Sequence, residues 1–233
     1  MKNNFLKGII HGIPIALGYL SVSFGFGITA VRAGLSVLAA VGISASNLTS
    51  AGQAAGVEII AAGGTLIEMA LTQLIINLRY SLMGLSLTQK LDDSFTVPHR
   101  MLASFGITDE IFAVAYAQPH KVSPFYMYGL ILISFIGWTS GTFLGAAAGQ
   151  ALPPAFTSAM GILLYGMFIA IIIPPSRKNI SIFGAVLAAA LISLLFEYVL
   201  TEVSVGFAII ISASAAAALM AIISPVPDEE GEK

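Results

Sequence analysis

Apolar residues run through this chain in blocks of membrane length, and the polar positions that interrupt them are few and clustered. A bilayer-crossing helix needs about 20 predominantly apolar residues. The first block, residues 8–31, carries Pro14 and glycines at 12, 18, 25 and 27, which predicts a bent, tightly packed helix. The second, residues 35–62, is long enough to cross, yet its middle reads Ser44-Ala45-Ser46-Asn47-Leu48-Thr49-Ser50-Ala51-Gly52-Gln53. Such side chains favour caps and local turns over continuous helix. The pattern therefore predicts a broken helix that restarts near Asn47 or Ser50.

A third block covers 65–87 and is followed by a polar loop at 89–100. Residues 101–118 form a shorter apolar run that holds the adjacent acids Asp109 and Glu110 and stops at Pro119. A full crossing, a half helix that re-enters and an interfacial helix all fit its length. Four cleaner blocks follow at 124–149, 158–173, 180–200 and 203–223. Gly137, Gly141, Gly145 and Gly149 recur every fourth residue, a spacing that puts a groove on one helix face and predicts close helix packing.

Composition fixes the class. The chain is 57% hydrophobic and only 9% charged, against roughly a quarter charged in soluble domains. Lipid leaves no water to satisfy backbone groups, so spanning segments of this kind are helical. The expectation is an all-α polytopic membrane helix bundle with seven or eight spans and broken or re-entrant helices. Residues 1–223 read as a single transmembrane domain, and 224–233 as an acidic, disordered cytoplasmic tail. The first apolar run outlasts a signal-peptide core and reads as a retained helix.

Lys/Arg asymmetry sets orientation. With seven spans, Arg32, Lys90, Arg100, Lys121, Arg177 and Lys178 share the cytoplasmic side and leave Lys2 and Lys7 outside. With eight, Lys2, Lys7, Lys121, Arg177 and Lys178 are inside against Arg32, Lys90 and Arg100 outside. The first has the better charge bias.

Several function classes drop out. A net charge of −2 with no basic run argues against nucleic acid. There is no cysteine, hence no disulfide or thiolate chemistry. His11, His99 and His120 are dispersed, without metal-ligand spacing. Neither a nucleotide-binding loop nor a nucleophile motif is present, so no enzyme activity and no cofactor are expected.

The chemistry that remains is polar side chains in apolar helices. Arg79 in a spanning helix costs about 2.5–3.5 kcal/mol on insertion scales, so it must face a partner or a polar cavity. Glu68, Thr72 and Arg79 fall on nearly one helix face, with Gln73 and Asn77 on another. Glu68 lies about 16 Å from Arg79 along a straight helix, too far for an ion pair. Asp109 and Glu110 are the acids left to meet Arg79, either as fixed architecture or as carboxylates that carry protons. The Ser44–Gln53 stretch reads either as plain interhelical hydrogen bonding or as a helix restarting at mid-membrane, whose free N–H groups and positive dipole end suit an anionic group such as a carboxylate. Asn47, Thr49, Ser50, Gln53, Asn77 and Arg79 thus form the expected substrate-binding set, and Asp109, Glu110 and Glu68 the expected proton-coupling set. Glu58 is a weaker candidate nearer the interface. Trp138 and Tyr126 read as interface anchors or packing.

A run of local motifs carries a family resemblance: Gly12-Ile13-Pro14 through Phe24-Gly25-Phe26-Gly27, then Ala33-Gly34-Leu35-Ser36, Ala51-Gly52-Gln53, Asn77-Leu78-Arg79-Tyr80, Thr108-Asp109-Glu110-Ile111-Phe112-Ala113, and Trp138 with Gly141 and Gly145. Over residues 8–168 the chain resembles the AzlC-like family, the large subunit of bacterial branched-chain amino acid exporters. The resemblance implies a secondary transporter in the bacterial cytoplasmic membrane that moves leucine, isoleucine or valine outward, coupled to protons. It also implies a small AzlD-like membrane partner, with homo-oligomers left open. The rival readings are a passive channel for a small solute or ion, and a non-transporting scaffold in which Arg79 only locks the bundle.

Overall fold

The sequence pattern is realised as helices. The computed structural model describes residues 2–148, 153, 166, 169 and 172–224. The block expected at 158–173, the tail beyond Ser224 and Gly149 fall wholly or mostly outside the described residues. Among these residues there is no strand, only an isolated bridge between Leu91 and Val122. They divide into two units: 2–57 with 77–148 and 153, and 58–76 with 166, 169 and 172–224.

In the first unit, α1 (Lys2–Arg32) and α7 (Pro124–Ala148) lie backbone to backbone. Gly8 faces the Tyr126 carbonyl and Gly12 faces Leu130 and Ile133; from the other side Gly137 faces Ala16, Gly141 faces Leu20 and Ser23, and Gly145 faces Phe24. A Cβ at any of these glycines would fall on its neighbour's atoms, so the four-residue glycine spacing is a packing seam, as its period predicts. Residue numbers climb together on both helices, so the two run parallel. Gly34, at φ +91°, stops α1: its N–H and that of Leu35 fold back to the Val31 and Ala30 carbonyls.

The polar break in the second block is real, and its consequence differs from the expectation. Helix α2 (Val37–Ser46) ends, and α3 (Ser50–Ala61) restarts after Asn47, Leu48 and Thr49. Ser44 Oγ donates to Gln53 Oε1 at 3.1 Å, and Ala40 shares a cluster with Val57. The two helices are therefore antiparallel, and the segment expected to cross turns back on itself. Its open end packs with Phe26, Ala30 and Ala146, late in α1 and α7. At its tip, Leu48 joins Tyr19 and Trp138, halfway along those helices.

A second hairpin enters from the other end. The run 101–118, read as one segment, is split into α5 (Val97–Ser104) and α6 (Asp109–Tyr116). The split follows from Gly106, which seats against Ile131, and from Thr108, whose hydroxyl accepts the Ile111 N–H as a helix cap. Asp109 and Glu110 thereby become the first turn of a helix instead of the middle of a run. The open end of this hairpin is tied near the start of α7, where Asp92 N–H donates to the Val122 carbonyl at 3.0 Å and Val122 N–H to that of Lys90 at 2.9 Å. At the same end, Asn4 Nδ2 donates to Ser123 Oγ. Lys7, Lys90 and Lys121 thus share one end of the unit, which neither expected charge arrangement allowed.

The long α4 (Leu66–Thr88) supplies its C-terminal half, from Asn77, to the first unit. In the second unit, α8 (Ile180–Tyr198) and α9 (Val205–Ile223) form an antiparallel pair. Ser181 meets Ser224 at 2.6 Å and Ser193 donates to Ser212 at 3.5 Å. Helices α1, α7, α8 and α9 are long and apolar enough to cross a membrane; α4 has the length but carries Glu68 and Arg79.

Candidate functional site

Both hairpin tips of the first unit end at one place. Leu48 and Ser50 from the first, and Thr108, Asp109 and Glu110 from the second, close a small pocket with Tyr19 of α1, Tyr80 of α4 and Trp138 of α7. Its free volume is about 10 Å³, room for about one water. Each tip is followed by a new helix, so α3 and α6 both begin at this pocket. A helix N-terminus presents unpaired N–H groups and partial positive charge. Two such ends converge here, and the acids of the α6 first turn sit in the field that suits them.

Arg79 finds its carboxylate within this unit. Nη1 lies 2.8 Å from Asp109 Oδ2, while Nη2 donates to the Tyr80 hydroxyl at 3.2 Å. The Arg79 and Asp109 side chains are 35% and 29% exposed, so the pair is only partly buried. Glu110 instead accepts from the Tyr19 hydroxyl at 2.5 Å, and that hydroxyl also lies 2.6 Å from Thr108 Oγ1. The Tyr19 ring stands edge-on to Trp138 with centroids 5.3 Å apart.

The expected substrate-binding residues separate into two groups. Ser50 lines the pocket, and Arg79 borders it through Asp109 and Tyr80. Asn47, Thr49, Gln53 and Asn77 hold the first hairpin in shape. Gln53 Nε2 donates to the Asn47 carbonyl at 2.6 Å. Thr49 Oγ1 donates to Asn77 Oδ1 at 2.7 Å and accepts the Gly52 N–H at 3.1 Å. Ser44, bonded to Gln53, also meets Thr142 of α7 at 2.7 Å.

Glu68 is not among the pocket residues. It lies in the second unit, 3% exposed, and its Oε1 accepts the Gly206 N–H of the first turn of α9 at 2.7 Å. Its carboxylate caps a helix, an arrangement favoured by the helix dipole. Tyr19, Tyr80 and Trp138 were missed or read as packing. An aromatic on an apolar helix gives no signal of its own, and only the hairpin tips reveal what these three face.

A family model described as AzlC protein matches residues 14–152, more than half the chain. The chain belongs to the AzlC family. AzlC-family kinship extends almost end to end: the chain is 30% identical to the inner membrane protein YgaZ of Escherichia coli K12, over 97% of this chain and 94% of YgaZ. It is 32% identical to an uncharacterized membrane protein of Archaeoglobus fulgidus, over 73% of this chain and 75% of that one. No solved structure matches it. The AzlC match spans both hairpins, α4 and all of α7, so the family segment contains the complete pocket.

Proposed function

We propose that this membrane protein is a secondary transporter that exports branched-chain or other hydrophobic amino acids, coupled to protons, as the large subunit of a two-component system. The observation that carries the reading is the meeting of two oppositely inserted hairpins at a small polar pocket walled by Arg79's partner Asp109, by Glu110 and by the start of α3. Non-helical backbone at membrane depth is tolerated where it is buried in protein or lines a cavity, and paired half-helices at mid-membrane are a transporter arrangement.

In this mechanism the substrate carboxylate is received at the α3 N-terminus by Ser50, and its ammonium by Asp109 or Glu110. The hairpin residues Asn47, Thr49, Gln53 and Asn77 hold that terminus in place. Protonation of the acids releases the ammonium, because a neutral carboxyl loses its attraction for a cation. A leucine does not fit the present volume, so the pocket opens by withdrawal of one hairpin, and the tip left in place seals the other side. The small volume of the pocket favours this over a continuously open pore.

The topology that accompanies the reading has α1, α4, α7, α8 and α9 as crossings, with the two hairpins dipping halfway. Within the first unit, Lys7, Lys90, Arg100 and Lys121 then face one side and Arg32 the other, which marks the lysine-rich side as cytoplasmic. The partner is a small AzlD-like subunit. The test is leucine flux in proteoliposomes holding this chain with and without that subunit, under an imposed proton gradient. Flux that saturates with leucine and follows the gradient is expected; flux indifferent to both excludes the exporter.

A further inference from the structure

Trp138 is 2% exposed, and its indole Nε1–H meets no acceptor among the described residues. A buried donor without an acceptor is costly, and this one belongs to a residue in the wall of the pocket. The other two buried polar atoms in the same condition, Ser23 Oγ and Thr139 Oγ1, belong to residues outside the pocket wall. Trp138 is also held in place. It sits opposite the hairpin tips on α7, its ring edge-on to Tyr19, and α7 is seated on α1 by glycines at 137 and 141 on either side.

We propose that Trp138 reads the anionic end of the transported molecule: its Nε1–H donates to a carboxylate oxygen seated at the N-terminus of α3, beside Ser50. The inference rests on the exporter reading and deepens it. The start of α3 alone offers partial positive charge to any anion. Adding one fixed neutral donor on the facing helix selects a planar carboxylate over a chloride-sized ion, because two separate donors must reach two oxygens of one group. An indole N–H donates only, so the same position gives nothing to the ammonium, which is left to Asp109 and Glu110. The ligand class is a zwitterionic α-amino acid oriented with its carboxylate towards α7.

The experiment compares leucine with 3-methylbutylamine, the same skeleton without the carboxylate, binding to the full chain in lipid nanodiscs. Trp138→Phe, and replacement of Trp138 by benzothienylalanine, which keeps the ring shape without the N–H, are set beside the natural protein. The expected result is a loss of leucine affinity of about 10- to 100-fold in both variants, the weight of a hydrogen bond to a charged group. Affinity for 3-methylbutylamine should be unchanged in both, and the benzothienylalanine form, which loses the unpaired donor without opening a cavity, should melt no lower than the natural protein. Leucine binding within twofold of the natural protein in the benzothienylalanine form overturns the assignment, as does equal loss of both ligands. Failure of the natural protein to bind leucine at all would instead sink the exporter reading beneath it.

Discussion

Arg79 Nη1 and Asp109 Oδ2 lie 2.8 Å apart although thirty residues separate them in the chain. The pair links the middle of a long helix to the first turn of a hairpin helix, so a side chain that is costly in lipid becomes a clamp on the second hairpin. Arg79→Gln and Asp109→Asn each leave one charge without its partner and should lower thermal stability. The double variant should recover part of the loss, with a coupling of about 0.5–1 kcal/mol, at the low end for neighbouring residues because both side chains are about a third exposed. Leucine flux should fall in all three. Stability losses that simply add, measured by melting in detergent, would mean that the pair does no clamping.

The seam between α1 and α7 gives a contrast among glycines. A methyl at Gly141 meets the Leu20 carbonyl and the Ser23 hydroxyl, whereas one at Gly18 or Gly42 meets nothing within 4 Å. Gly141→Ala should cost about 1–3 kcal/mol by overpacking, while Gly18→Ala and Gly42→Ala should be neutral or gain up to about 1 kcal/mol from helix propensity. Melting temperatures of the three purified variants decide the matter, and equal values would show that the seam does not constrain the backbone.

The chain contains no cysteine, so single cysteines can be introduced without preparing a background. Cysteines at Lys7, Lys90 and Lys121 should react with an impermeant maleimide from the cytoplasmic side, and one at Arg32 from the opposite side. Labelling of the Lys7 and Lys90 positions from opposite faces would restore a crossing for residues 35–62 and remove the first hairpin.

Glu68 offers a clean separation of structure from coupling. Its contact with the Gly206 N–H makes it a cap for α9, so Glu68→Ala should cost about 1–2 kcal/mol, and Glu68→Gln less because an acceptor remains. Proton coupling should survive Glu68→Gln. A stable Glu68→Gln protein that transports without responding to a proton gradient would reinstate Glu68 as a proton carrier.

The boundaries of the third block and of the later ones were legible because apolar block length acts locally, whereas α1 begins at Lys2, ahead of its expected start, and the 101–118 run is split, with α5 beginning inside the expected loop. The expected third block at 65–87 and the observed Leu66–Thr88 differ by one residue at each end. The break at Asn47–Thr49 was legible for the same reason, since short polar side chains compete for backbone bonds within a few residues. Its direction was not. Whether a chain continues or reverses after a break depends on what receives it, here the Ser44–Thr142 contact and the Ala40–Val57 packing, which join positions far apart in sequence. The site divided along the same line. Arg79 and Asp109 announced themselves by charge in an apolar setting, while Tyr19 and Trp138, which touch the tips, look like any aromatic in a membrane helix.

Since a Cβ at Gly137, Gly141 or Gly145 would fall on a carbonyl or Cα of α1, those two helices lie too close for any side chain between them. They form a fixed pillar through the middle of the unit. In the proposed transporter, the motion that admits a substrate then falls to the short arms that lean against this pillar, and it must first release the Arg79–Asp109 and Tyr19–Glu110 contacts that hold the tip of the second arm.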